Sequence, residues 1–199
     1  MIINYNNFLL EILKAFIKLC IAGLLIGLLK SHDLIIALIL LIKIIHVVYK
    51  NVIISKIKNW ILLYGMSLTG LAGMIGENWG VSNAYWEYHK VSRELPLWLP
   101  FAWMLAFYFL YSIESRLIAY LKYKTIKNKL IIAFWLSLLV PAFGEIITIN
   151  LGVWTYYWPY QVFGVPLYAF MCLVFVHMIV YGILAFICKK KKINDVVFT

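Results

Sequence analysis

Glu77 and Glu145 stand in matched surroundings within apolar sequence, where a pair of carboxyl groups can do proton chemistry. Gly76-Glu77 is followed by Trp86-Glu87-Tyr88 and Pro96-Leu97-Trp98. Gly144-Glu145 is followed by Trp154-Thr155-Tyr156 and Pro166-Leu167-Tyr168. From Gly-Glu to Trp-x-Tyr the offset is a constant 68 residues, the mark of an internal repeat. A carboxyl set in hydrocarbon is desolvated, which favours its neutral form, and a second carboxylate nearby favours the neutral form of one partner further. Such a group can donate a proton near neutral pH, as protonation of an alkene requires. A carboxylate in a membrane segment is costly and points to function. The structural alternative is a Glu that bonds a neighbouring helix or reaches interfacial water.

The aromatic residues beyond each Glu are the next candidates. Trp86 and Tyr88, and Trp154 and Tyr156, sit at fixed distances from Glu77 and Glu145. Trp and Tyr belong in the interfacial belt of membrane proteins, but a belt does not require the same Trp-x-Tyr twice. Aromatic faces also stabilise cations, so these four rings are candidate substrate-pocket walls, with Trp103 and Trp158 beside them. His177, midway along the last apolar segment, is a third candidate catalytic residue that could pair with Glu145 and tune it; a core histidine bonded to the backbone is the plainer account. Glu87 and His89 lie beside Lys90, Arg93 and Glu94 and are expected to be solvated. Glu11, Lys14 and Lys18 follow helical spacing, which an ion pair on one face explains.

The elements that must hold these residues are membrane helices. The chain has 199 residues, 65% of them hydrophobic and 13% charged, with a mean hydropathy of +0.92; soluble domains are about half apolar and a quarter charged. A span needs about 20 mostly apolar residues, and six candidates lie at roughly 9–29, 33–50, 59–79, 97–121, 130–151 and 166–188. The first lacks a basic leader and a small-residue cleavage site, so it is expected to be retained. Lysines crowd the second and fourth connections and follow the last span, while 152–165 has none. The positive-inside rule places both termini in the cytoplasm and the aromatic connections 80–96 and 152–165 on the other side of the cell membrane. The expected fold is an all-α integral membrane protein, a six-helix transmembrane bundle with an internal parallel repeat in helices three-four and five-six. It forms one domain over 1–199: an N-terminal hairpin (1–58), repeat one (59–121) and repeat two (130–188). Each returning helix is expected to begin at Pro-Leu, where proline's missing N–H is harmless.

The net charge of +10 is concentrated at helix ends, where it meets anionic lipid head groups, so the bilayer and not nucleic acid is the expected partner. Cys20, Cys172 and Cys188 fall in apolar stretches and are expected to be small core residues. The histidines lack metal-ligand spacing, and no phosphate-binding loop or nucleophile elbow occurs; no cofactor and no metal are expected. No oligomeric state is implied.

The string Gly144-Glu145, Trp154-Thr155-Tyr156 and Gly164-Val165-Pro166-Leu167, with its counterpart Gly76-Glu77, Gly80-Val81 and Pro96-Leu97-Trp98-Leu99-Pro100-Phe101-Ala102-Trp103, resembles membrane carotenoid-biosynthesis proteins. These are the carotenoid hydratase type and, more distantly, the small lycopene cyclases. The likeness covers roughly 70–110 and 140–180. It implies non-redox, acid-initiated chemistry on a polyene, with Glu77 and Glu145 at the acidic positions and a hydrophobic isoprenoid substrate entering from lipid. After Pro166-Leu167 this chain continues as Tyr168-Ala169-Phe170, where lycopene cyclases often carry a Glu pair. Membrane terpene cyclases of meroterpenoid pathways are also similar in size and setting. The expected function is thus an isoprenoid or carotenoid cyclase or hydratase. The alternative is a non-catalytic protein that binds or transports lipid, or a membrane assembly subunit. An enzyme requires an elongated apolar cavity reaching both carboxyls, whereas a scaffold would seal them.

Overall fold

Apolar runs of this length become helices because a helix satisfies nearly every backbone polar group within one segment. The structure, a computed structural model, describes residues 5–199. Six α-helices carry them: α1 (Tyr5–Leu28), α2 (Asp33–Val48), α3 (Trp60–Ser82), α4 (Leu99–Ala119), α5 (Ile126–Asn150) and α6 (Leu167–Lys191). A π-helical turn, Tyr49–Ile53, prolongs α2. Three segments, Asp33–Ile53, Ile126–Asn150 and Leu167–Lys191, are long and apolar enough to cross a membrane. Large apolar side chains on them, including Leu38, Ile42, Leu139, Phe175 and Phe186, face outward, a surface compatible with a lipid bilayer.

Local chemistry explains the helix starts. Asn59 caps α3 by accepting from the Leu62 N–H at 2.9 Å, and Thr125 caps α5 through Asn128, each meeting one orphan donor of a first turn. Asp33 opens α2 and accepts from the Leu97 N–H at 2.8 Å, tying that helix to the approach to α4. The Pro-Leu expectation holds for α6, which starts at Leu167 with Pro166 as its cap. It fails for the first copy: α4 starts at Leu99, three residues past Pro96, and Pro100 occupies its first turn.

α3 packs along α4, α1 along α5, and α6 against both α3 and α5, while α2 leans on α4. A central core gathers Leu62, Met66, Phe107, Leu117, Tyr181 and Leu184. A second cluster around Ile36, Tyr88, Trp98, Leu99 and Trp154 sits at the end where α3 and α5 finish.

The aromatic connections at that end are not the simple loops that the sequence suggests. β1 (Trp86–Tyr88) pairs antiparallel with β2 (Trp154–Tyr156), with Trp86 opposite Tyr156, Glu87 opposite Thr155 and Tyr88 opposite Trp154. β3 (Gln161–Val162) and β4 (Val165–Pro166) form a small hairpin beside it. At the opposite end the last residues fold back. Lys129 donates to the carbonyls of Val196 and Thr199, Tyr111 to Asp195 and Tyr181 to the Val197 carbonyl, burying Val197 and Phe198. Of the three cysteines, Cys188 is buried and Cys20 half-buried, but Cys172 is exposed. The expected core position fails for Cys172 because it follows Met171 on the outward stripe of α6.

Candidate functional site

The β1–β2 ribbon builds the site. Residues directly opposite each other share a face, and faces alternate along a strand. The register therefore sets Trp86, Tyr88, Trp154 and Tyr156 on the inner face, and Glu87 and Thr155 on the exposed one. Polar pairs occupy the exposed side: His89 Nε2 lies 2.8 Å from Thr155 Oγ1, and Tyr157 donates to Glu87 at 2.5 Å. The bond to Glu87 pushes the exposed Tyr157 phenol above its ordinary pKa.

The inner face delivers donors to the two carboxylates, each eleven residues upstream of its tyrosine. Glu77 Oε2 accepts from Trp86 Nε1 at 3.0 Å and from Tyr88 OH at 2.9 Å. Its Oε1 accepts from Trp103 Nε1, on α4, at 3.0 Å. Glu145 Oε2 accepts from Tyr156 OH at 3.0 Å. Burial first, then the neighbouring carboxylates, push the Tyr88 and Tyr156 phenols well above the ordinary range. Both hydroxyls therefore keep their protons and can donate.

Two glycines let the indoles reach Glu77. A Cβ on Gly80 would fall 1.8 Å from Trp86 Cη2, and one on Gly73 would fall 2.2 Å from Trp103 Cδ2. Each ring occupies the volume that a side chain on α3 would take. Gly76, beside Glu77, faces open space instead.

The two carboxylates differ in how fully they are bonded. Glu77 has three donors, two of them indole N–H groups that can only donate. Glu145 has one, and its Oε1 has no protein partner among the described residues. The sequence accounts for part of this. Trp103 lies seven residues beyond Pro96, and the corresponding position beyond Pro166 is Leu173, which has no N–H to give. The indole of Trp154, placed as Trp86 is placed, makes no hydrogen bond among the described residues.

Glu77 and Glu145 line one cavity of about 580 Å³. Tyr88, Trp103, Pro141, Trp154, Tyr156 and Leu173 line it near the carboxylates, and it continues along α1 and α4 past Leu19, Phe109 and Ile113 to Glu11, Lys18, Lys43 and Arg116. Pro141 has no N–H, so it interrupts the backbone ladder of α5 one turn before Glu145.

Two expected site residues lie elsewhere, and a third sits beside Glu77 without lining the cavity. His177 does not meet Glu145: its Nε2 is 2.7 Å from Glu114 Oε1, on α4. Both residues are buried and lie apart from the cavity. The reason is helical phase, because the buried stripe of α6 (Leu173, His177, Val180, Leu184) turns His177 toward α4. Trp158 is 40% exposed and meets the edge of Tyr168, away from the lining. Trp86 touches Glu77 but is not part of the lining either.

Glu114 escaped the sequence reading, although it lies at helical spacing from Phe107, Leu110 and Leu117 on the buried face of α4. Glu11 pairs with Lys14 at 2.9 Å as its spacing suggests, and also with Arg116 at 3.0 Å. Lys18 joins neither pair and stands at the cavity instead. Comparison with family models, with curated proteins and with solved structures finds no match for the chain.

Proposed function

We propose that this chain is a multi-pass membrane enzyme of isoprenoid or carotenoid metabolism that starts its reaction by protonating a carbon–carbon double bond. The observation that carries this reading is the shared cavity: two carboxylates with unequal hydrogen bonding face one apolar chamber. Both sit among aromatic rings at one end of it, whereas the third lining carboxylate, Glu11, is taken up by Lys14 and Arg116.

The roles follow from the donors. Glu145 has an oxygen to spare, and its partner Tyr156 OH can also accept, so Glu145 can carry and release a proton. It is the general acid. Its proton passes to one alkene carbon, the π pair forms the new C–H bond, and the positive charge falls on the other carbon. Tyr88, Trp103, Trp154 and Tyr156 flank that cation. Cyclisation ends when a neighbouring C–H gives up its proton; hydration ends when water adds and sheds one. A carboxylate has about four lone-pair sites, of which the three donors on Glu77 leave one to receive that proton. Nothing is oxidised or reduced overall.

The architecture proposed with this function is a six-span bundle in the cell membrane, with both termini on the lysine-rich cytoplasmic side. The second half repeats the first in parallel. The equal spacing of Tyr88 from Glu77 and of Tyr156 from Glu145 supports the repeat. So does a ribbon register symmetric about Glu87 and Thr155, as an axis along the membrane normal would give. The three donors on Glu77 favour a second reading, in which the cavity binds a lipid without chemistry. Expression in hosts that make lycopene or geranylgeranyl lipids, with pigments and lipids profiled for wild type, Glu77→Gln and Glu145→Gln, separates the two. The enzyme reading expects a new isoprenoid with wild type that disappears with Glu145→Gln; unchanged profiles throughout favour the binding reading.

A further inference from the structure

The cavity carries opposite chemistry at its two ends. Near the ribbon are Glu77, Glu145 and the aromatic rings; farther along are Lys18, Lys43 and Arg116, with Glu11 the sole carboxylate among them. Glu11 is already shared by Lys14 and Arg116, and neither Lys18 nor Lys43 has a hydrogen-bond or ion-pair partner among the described residues.

The placement of the two lysines is matched. Lys18 lies ten residues before the end of α1, and Lys43 ten residues after the start of α2. At about 1.5 Å of rise per residue, both sit roughly 15 Å below the α1–α2 turn. That is the middle of α1, where snorkelling to a head-group layer is hardest and an ionisable residue points to function. By the same rise, Glu77 and Glu145, each five residues before its helix end, lie roughly 7 Å below the ribbon end, and Arg116 roughly 25 Å below the start of α4.

We infer that the cavity takes an amphiphile with a single apolar tail and an anionic, phosphate-type head, the head on Lys18 and Lys43 and the tail running to Glu145. The gap between acids and cations, roughly 10 to 20 Å along the bundle, suits a short prenyl chain rather than a full-length carotene. Two unpaired ammonium groups at one depth suit an anionic phosphate, and charge-assisted hydrogen bonds are the strong ones. The inference rests on reading the cavity as a lipid-binding chamber, and not on the role given to Glu145.

The test is binding to the purified full-length chain in zwitterionic phosphatidylcholine nanodiscs, followed by tryptophan fluorescence. The probes are farnesyl monophosphate, farnesol and inorganic phosphate; a parallel set of nanodiscs contains phosphatidylglycerol. Farnesyl monophosphate is expected to bind about tenfold or more tightly than farnesol, the difference vanishing in Lys18→Gln/Lys43→Gln and returning in Lys18→Arg/Lys43→Arg. Equal affinities for phosphate and alcohol, or an unaffected double Gln variant, would overturn the head-group assignment while leaving the chamber intact. Binding of neither prenyl compound would overturn both. Inorganic phosphate binding as tightly as farnesyl monophosphate would show a free-anion site and overturn the amphiphile. Competition by phosphatidylglycerol would assign the anion to a bilayer phospholipid and overturn the prenyl tail.

Discussion

Trp86 stands directly opposite Tyr156 in the β1–β2 ribbon, and the two send their polar atoms to different carboxylates, Trp86 Nε1 to Glu77 and Tyr156 OH to Glu145. One strand pair thus spans both halves of the chain and fixes both acids. The separation of roles proposed for Glu77 and Glu145 depends on that register.

Glu145→Gln and Glu77→Gln should fail differently. Loss of the proposed general acid at Glu145 is expected to lower product formation by about 10²- to 10⁴-fold with little change in stability. At Glu77 the amide N–H₂ would face indole donors, and the mismatch is expected to lower stability by about 1–3 kcal/mol. Thermal unfolding in detergent beside product yield separates them. Equal losses of yield with equal melting points would contradict the division of roles.

The tyrosines should be unequal too. Tyr156→Phe removes the one protein donor on Glu145, so product formation is expected to fall about tenfold or more. Tyr88→Phe leaves Glu77 two indoles and is expected to remove only about 1 kcal/mol of stability. Rates and melting points of both variants give the comparison, and a larger activity loss for Tyr88→Phe would count against Glu145 as the acid.

Glycine substitutions on α3 test the indole positions. Gly73→Ala and Gly80→Ala place a methyl group where Trp103 and Trp86 lie, with an expected loss of about 1–3 kcal/mol from overpacking. Gly76→Ala meets nothing within 4 Å and should melt like wild type. A Gly76→Ala variant as unstable as the other two would mean that α3 is sensitive to alanine in general, not to the two rings.

His177 and Glu114 form a buried pair that the account keeps apart from the chemistry. His177→Leu or Glu114→Leu alone strands a buried polar partner and is expected to lower stability by about 3–5 kcal/mol, while Glu114→Leu/His177→Leu recovers most of it. Folded protein of the double variant should retain activity. A stable but inactive double variant would return His177 to the catalytic group.

The acids and their tyrosines were legible because the same spacing occurs twice, and helices were legible because apolar runs of that length have few other solutions. Strand pairing was not. Trp86–Tyr88 and Trp154–Tyr156 are three residues each, too short to show alternation, and their aromatic content matches an interfacial belt equally well. The partner of His177 was obscured by helical phase: a midspan histidine faces any of several neighbours until the bundle order is known. Glu114 carries no such signal, because it lies two residues from Arg116 near the end of its helix, where charges are common. The ionic end of the cavity was hidden for a related reason: an N-terminal hairpin does not by itself say which helices Lys18 and Lys43 face.

The proposed proton transfer from Glu145 to carbon is most directly tested by isotope incorporation. Purified protein in nanodiscs would be incubated with an isoprenoid that it converts in the host, in D₂O, and the product analysed by mass spectrometry. The account predicts deuterium bound to carbon in the wild-type product, and formation of that product reduced at least about a hundredfold in Glu145→Gln. Product free of carbon-bound deuterium, or undiminished incorporation by Glu145→Gln, would contradict it.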